Sequence, residues 1–332
     1  MELSVGSWLF TAGETTWSHD ASRINPVLGN PSSKLTYTDN DTHIIDLGVK
    51  FYLTRRWYLQ GHGGFSVDFD RGRLIDDDYL AGQYLFSRTS SKVTGTGTWY
   101  INGNVGYRAV EFQNGRGYLD VLGGFRYWRT EHEATGFDRL VCDPHVTSCV
   151  PQSSGARAIT NTSHWITPVQ VGINTDYRLT GRLSIGLKAT VSPISLVYNE
   201  DVHHLRSDLQ QDPSFFMRGI GVGGSAEPMV KFMLTRNLAL TAGYRVWWNR
   251  TYTGTWKSVR LEAALSRLPS PSFRVFATGH RRSYRFVLVA TIGRIVIASD
   301  VPRAACLLHT RKRDAWLPGA GGLHGRRGWP PS

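Results

Sequence analysis

The chain has 332 residues, 41% of them hydrophobic, enough for one or two domains, yet no stretch approaches the roughly 18 to 20 uninterrupted apolar residues of a membrane helix. Its net charge of +12 is concentrated at one end: from Ser258 onward there are 13 basic and 3 acidic residues, against 25 and 23 in the 257 residues before. The body is near neutral, so the basic balance is no signal for nucleic acid, and no such partner is expected.

A β-barrel crosses a bilayer without any long apolar run, because its strands alternate lipid-facing and lumen-facing side chains. That alternation starts at once. Met1 and Glu2 are followed by Leu-Ser-Val-Gly-Ser-Trp-Leu-Phe, which already reads as strand. An exported barrel needs a leader, so the expectation is that the signal peptide is missing from this sequence.

The organising signal is a repeated turn. Leu-Thr-Arg-Arg-Trp stands at 53–57, Leu-Thr-Gly-Arg-Leu at 179–183 and Leu-Thr-Arg-Asn-Leu at 234–238. A fourth turn, Gln-Asn-Gly-Arg-Gly at 113–117, carries the Asn-Gly pair that supplies the positive φ angles of a hairpin. Each is flanked by strict alternation. Before the first turn, Ile45, Leu47, Val49, Phe51 and Leu53 oppose Asp46, Gly48, Lys50 and Tyr52. After it, Trp57, Leu59, Phe65 and Val67 oppose Tyr58, Gln60, His62 and Asp68. The same holds around 99–110, 118–129, 169–178, 183–192 and 238–248. A soluble sandwich also alternates. Three features favour a barrel: strands of ten or more residues, charged groups in mid-strand on the polar face, and aromatics near strand ends (Trp57, Trp99, Trp128, Trp247, Trp248).

Short turns alternate with long polar segments at about 14–42, 69–95, 131–162 and 199–215. That is the asymmetry of short periplasmic turns and long outer loops. Nine strands are counted by about residue 250, and an even number requires a tenth. The fold class is therefore an all-β antiparallel transmembrane barrel of about ten strands over residues 1–257, in the bacterial outer membrane, a monomer contacting outer-membrane lipid. Its lumen is expected to be filled by Tyr58, Tyr100, Arg108, Arg126, Lys188 and Arg245.

Cys142 and Cys149 flank a short polar segment and read as a disulfide of an oxidising compartment. Zinc is the weaker reading, since only His145 lies between them, and neither metal nor cofactor is expected. The tail, 258–332, is anomalous. It holds twelve Arg, one Lys and no Asn, and it ends Arg-Gly-Trp-Pro-Pro-Ser. A closing strand is expected at Ser283 to Ile292. The rest reads either as a shifted reading frame or as a disordered basic extension.

Two acidic clusters lie in outer loops. One runs from Gly72 through Asp76, Asp77 and Asp78 to Tyr79; the other is Asn199-Glu200-Asp201-Val202-His203-His204. Residues two apart on a strand share a face, so Asp76 with Asp78, and Asp201 with His203, can converge across the mouth. Such a set suits water activation: a carboxylate orients an imidazole, the imidazole takes a proton from water, and the second acidic pair holds that water. Solvated loops, or loops binding divalent cations that bridge lipopolysaccharide, are the plain alternative.

The pattern resembles the omptins, ten-stranded outer-membrane proteases. Their Gly-x-x-x-Asp-x-Asp-aromatic segment is matched by Gly72, Asp76, Asp78 and Tyr79, and their Asp-x-His dyad by Asp201 and His203. The resemblance covers residues 2 to 256. It implies an endopeptidase acting on peptide or protein, with catalytic Asp76, Asp78, Asp201 and His203 and with lipopolysaccharide as a requirement for activity. It also implies a substrate-binding acid at Glu14, eight residues after Gly6, and a second specificity position at Asn199, where the family carries an acid. Unbroken alternation from Leu183 would, however, turn Asp201 and His203 outward and His204 inward. A bulge at Pro193 corrects this; without one, His204 is the alternative base. The rival function is a non-enzymatic barrel: adhesin, structural protein or narrow porin.

Overall fold

The structure, a computed structural model, describes residues 1–23, 25–68, 72–149, 151, 153–258, 276–277 and 286–298. The described residues form thirteen strands in one antiparallel sheet: β1 (Glu2–His19), β2 (Ser33–Thr38), β3 (Thr42–Tyr52), β4 (Trp57–Asp68), β5 (Arg73–Leu80), β6 (Tyr84–Phe112), β7 (Gly117–Cys142), β8 (Ser153–Arg178), β9 (Leu183–His203), β10 (Phe215–Met233), β11 (Leu238–Ser258), β12 (Phe276–Ala277) and β13 (Phe286–Ala298). Strand β13 pairs with β1 on one edge and β11 on the other. Pairing therefore runs round a ring of ten strands, β1, β3, β4, β6 to β11 and β13, and each strand of that ring has a partner on both sides. The described closing strand overlaps the expected one from Phe286 and runs six residues past its expected end, to Ala298; 283–285 lie outside the described residues. The remaining tail, from 299, lies outside the described residues.

The three Leu-Thr turns share one construction. In each, the Thr hydroxyl accepts two backbone N–H groups: Thr54 from Arg56 and Trp57, Thr180 from Arg182 and Leu183, Thr235 from Asn237 and Leu238, at 3.0–3.3 Å. The leucine N–H of each closes on the fifth residue's carbonyl at 2.8–2.9 Å. Each such bond is worth about 0.5–1.5 kcal/mol net, and together they hold the short end of the barrel. At the fourth turn, Gln113, Asn114 and Gly115 all take positive φ.

Outward side chains form an apolar girdle facing lipid: Leu47, Val49, Phe51, Leu59, Phe65, Ile101, Val121, Val171 and Ile194 among them, all exposed. Trp57, Trp99 and Trp248 belong to it. Trp128 and Trp247, expected there too, instead face inward and are buried. With Trp8 and Tyr100 they fill the lumen through edge-on and stacked ring contacts at 4.4–5.6 Å. Charges are paired around this plug. Arg245 bonds Glu227 at 2.7 Å and lies 3.8 Å from Asp46, which accepts the Tyr100 hydroxyl. Nearer the short turns, Asp120 accepts Tyr58 at 2.9 Å and Arg108 at 3.1 Å.

Strands of 26 to 29 residues in β6, β7 and β8 far exceed the ~9–11 that span a bilayer. They continue beyond the girdle at the long-loop end. There β2 and β5, lying in segments expected to be irregular, insert between β1 and β6 above the ends of β3 and β4. The extended wall still has an inner face shielded by its own ring, and that face carries the candidate site. The Cys142–Cys149 disulfide closes the loop just past β7, outside the sheet.

Candidate functional site

On the β5 side, Leu74, Asp76 and Asp78 share the inner face, while Asp77 turns the other way into a bidentate pair with Arg88 at 2.5 and 2.9 Å. Cross-strand rows lock this register. Asp76 lies opposite Leu35 and Leu35 opposite Trp17; Asp78 lies opposite Ser33 and Ser33 opposite His19.

On the β9 side the face changes. Ser184, Thr190 and Ser192 point inward, and so do Ser195, Val197, Asn199 and Asp201. Between the two sets, Pro193 and Ile194 both point out, opposite the single residue Val222 of β10. This is the bulge that the sequence required at Pro193, where proline's missing donor costs the ladder least. It sends Asp201 and His203 inward and leaves His204 exposed, bonded to Thr160 at 2.8 Å.

His203 Nε2 lies 2.9 Å from Asp201 Oδ2, and Asp201 is fully buried. The carboxylate fixes the proton on Nε2, so the lone pair sits on Nδ1. The backbone of the dyad is held by Ser214: its hydroxyl accepts the His203 N–H at 3.0 Å, and its own N–H bonds the Asp201 carbonyl at 3.0 Å. Phe215 packs edge-on to the His203 ring at 5.0 Å, and His19 stacks between Phe215 and Trp256.

All four groups stand above the girdle, whose last outward member on β9 is Leu196. Their charges act on one another. Burial pushes Asp76 up to about 8, and the neighbouring Asp78 adds to the shift. Burial also raises Asp78, against a hydrogen bond from Ser33. For His203, burial opposes the cation, but Asp201 and then Asp76 outweigh it, and the imidazole titrates above its ordinary value. The carboxyl pair thus holds its proton above the ordinary carboxylate range, facing an imidazole whose cation Asp201 stabilises. His204 is shifted the opposite way, by burial and by Arg157.

The two expected specificity residues behave differently. Glu14 does not join the site. A register shift between Thr11 and Glu14 sets two residues of β1 against one of β13, so Thr15, Trp17 and His19 point in and Glu14 points out, exposed. Asn199 does face in, fully buried, but its amide is used up by Asn161 at 2.7 Å, Ser163 at 3.0 Å and the Thr162 carbonyl at 3.2 Å. Sequence reasoning missed His19, Tyr37, Asn161 and Ser214. Leu35 and Tyr37 do alternate with polar neighbours in Ser33–Thr38, the one cue that this stretch is strand.

Scans against protein-family models and against curated proteins match nothing. Among solved structures, the outer-membrane protease OmpT of Escherichia coli is similar at 12% identity, with 89% of this chain and 96% of that chain covered and a TM-score of 0.69. The translocator domain of the autotransporter NalP of Neisseria meningitidis (10% identity, 90% and 88% covered) reaches a TM-score of 0.36. At 12% identity the likeness to the protease is one of fold, that of an outer-membrane β-barrel.

Proposed function

We propose that this protein is a bacterial outer-membrane endopeptidase that hydrolyses peptide bonds at its outer mouth. The observation that carries the reading is the Asp201–His203 contact at 2.9 Å, inside the barrel wall and within electrostatic reach of Asp76 and Asp78.

In this reaction Nδ1 of His203 removes a proton from a water held by the Asp76–Asp78 pair. The water oxygen bonds to the scissile carbonyl carbon, whose π electrons move to oxygen. His203, its cation stabilised by Asp201, then delivers the proton to the amide nitrogen as the C–N bond breaks, leaving a carboxylic acid and an amine. General-base catalysis of this kind contributes on the order of 10²–10⁴ in rate.

The proposal includes lipopolysaccharide as an activator. Arg218, exposed on the outward face beyond the girdle, supplies a cation for its phosphates. The plugged lumen speaks against the porin alternative. The adhesin alternative remains the outcome if chemistry is absent.

The test is a mass-spectrometric digest of a peptide library by chain refolded with lipopolysaccharide. Cleavage by the wild-type chain that is lost in Asp201→Asn supports the reading. Wild-type protein that cleaves no peptide overturns it.

A further inference from the structure

A hydrolytic site of this kind needs one more part: a donor for the oxygen that turns anionic when water adds to the carbonyl. The four acid–base residues do not supply it, since they are occupied with the water and the imidazole. Several buried polar atoms at the mouth have no hydrogen-bond partner among the described residues. Asp76 Oδ1 and Asp201 Oδ1 are acceptors; the His19 Nε2 atom and the Tyr37 hydroxyl are groups that can donate.

Tyr37 is the better placed of the two donors. It is fully buried on the inner face of β2, in the cross-strand row next to the one that joins Leu35 to Asp76. Its ring stacks on His132 of β7, three strands along the wall, at 4.8 Å. From His132 the cross-strand row continues through Asn161 to Asp201, and all three residues are buried. Tyr37 therefore links the strand beside the aspartate pair to the cross-strand row that ends at Asp201 of the dyad. His19 lies to one side, against Phe215 and Trp256. A buried phenol between carboxylates also keeps its proton: burial, then Asp201 and Asp76, raise its pKa well above the ordinary value.

We infer that Tyr37 is a catalytic residue whose hydroxyl donates a hydrogen bond to the scissile carbonyl oxygen as that oxygen becomes anionic. This rests on the endopeptidase reading and adds to it the electrophilic half of the site. Tyr37 keeps its proton throughout; the proton that moves is the one carried from water to the amine by His203.

The test compares wild type and Tyr37→Phe, both refolded with lipopolysaccharide, on one peptide that the wild type cleaves. The substitution keeps the ring on His132 and removes only an unpartnered hydroxyl. The expected result is a kcat loss on the order of 10²–10³ with KM within about twofold. The position of the pH profile is expected to be unchanged, with an unfolding temperature equal to or above that of wild type. A kcat within about threefold of an active wild type overturns the role of Tyr37 and leaves the protease reading standing. A joint fall of kcat and unfolding temperature makes Tyr37 a packing residue and equally overturns the inference. A wild-type chain that cleaves nothing removes both readings together.

Discussion

Ser192 and Ser195 both face the lumen although they are three residues apart, with Pro193 and Ile194 both turned out between them. That extra residue sets the face of everything beyond it on β9, including Asp201 and His203. Deleting Pro193 restores plain alternation from Ser192 through Ile194 to Ser195 and leaves the dyad inside. Deleting Tyr198, beyond the bulge, turns the dyad out. The expected outcome is a heat-modifiable barrel in both cases on gel electrophoresis. Peptide cleavage survives in the first and is lost in the second. Loss in the Pro193 deletion alone would show that the bulge does something other than set the face.

The pH profile follows from two displaced titrations. His203 must be neutral to act as base, and its pKa is raised, by Asp201 and Asp76 against burial, so activity rises with pH above the ordinary histidine value. Asp76 is raised to about 8 by burial and Asp78, so the proton of the carboxyl pair is lost on the alkaline side. A bell-shaped kcat/KM profile is expected. In Asp76→Asn the falling limb near pH 8 should disappear, because a carboxamide has no proton to lose there. A profile identical to wild type in that variant would show that the limb belongs to another group.

How much of this was legible in the sequence depended on where both faces of a strand were told apart by their solvent. Inside the bilayer one face meets lipid, so Val49 and Lys50, or Leu59 and Gln60, are unmistakable neighbours, and the ring of strands could be counted. Beyond the bilayer both faces tolerate polar residues. Arg73–Leu80, with three consecutive aspartates, and Ser33–Thr38 then looked like loop although neighbouring strands pair with them. The same loss of contrast hid Tyr37. Glu14 failed for another reason. The shift between Thr11 and Glu14 has no proline to announce it, whereas the one at β9 has Pro193. Trp128 and Trp247 showed the limit of reading aromatics as interfacial: a ten-stranded lumen also needs large rings to fill it.

The lumenal charges are load-sharing pairs, and removing one partner should be felt. Arg245→Ala leaves Glu227 and Asp46 facing each other's charge in a buried setting. Removing one member of a buried pair costs about 3–5 kcal/mol. The check is the temperature at which the folded form converts to the slower-migrating one on heated gels, expected to fall clearly relative to wild type. An unchanged temperature would mean that water reaches the pair.

The Cys142–Cys149 bridge closes a loop outside the sheet. Its entropic effect therefore concerns the loop more than the ring. Reduction, or paired replacement by serine, should leave the heat-modifiable barrel intact while an added protease of broad specificity cuts more readily within 143–149. A reduced protein that loses its barrel form would place the bridge among the fold's supports.

In the proposed reaction the imidazole turned into the barrel, and not its exposed neighbour, takes the proton from water. The most direct test measures kcat/KM for wild type, His203→Ala and His204→Ala on one cleaved peptide in lipopolysaccharide-containing micelles. The expected result is a loss on the order of 10²–10⁴ for His203→Ala and near wild-type cleavage for His204→Ala. The reverse order, or full activity in His203→Ala, would contradict it.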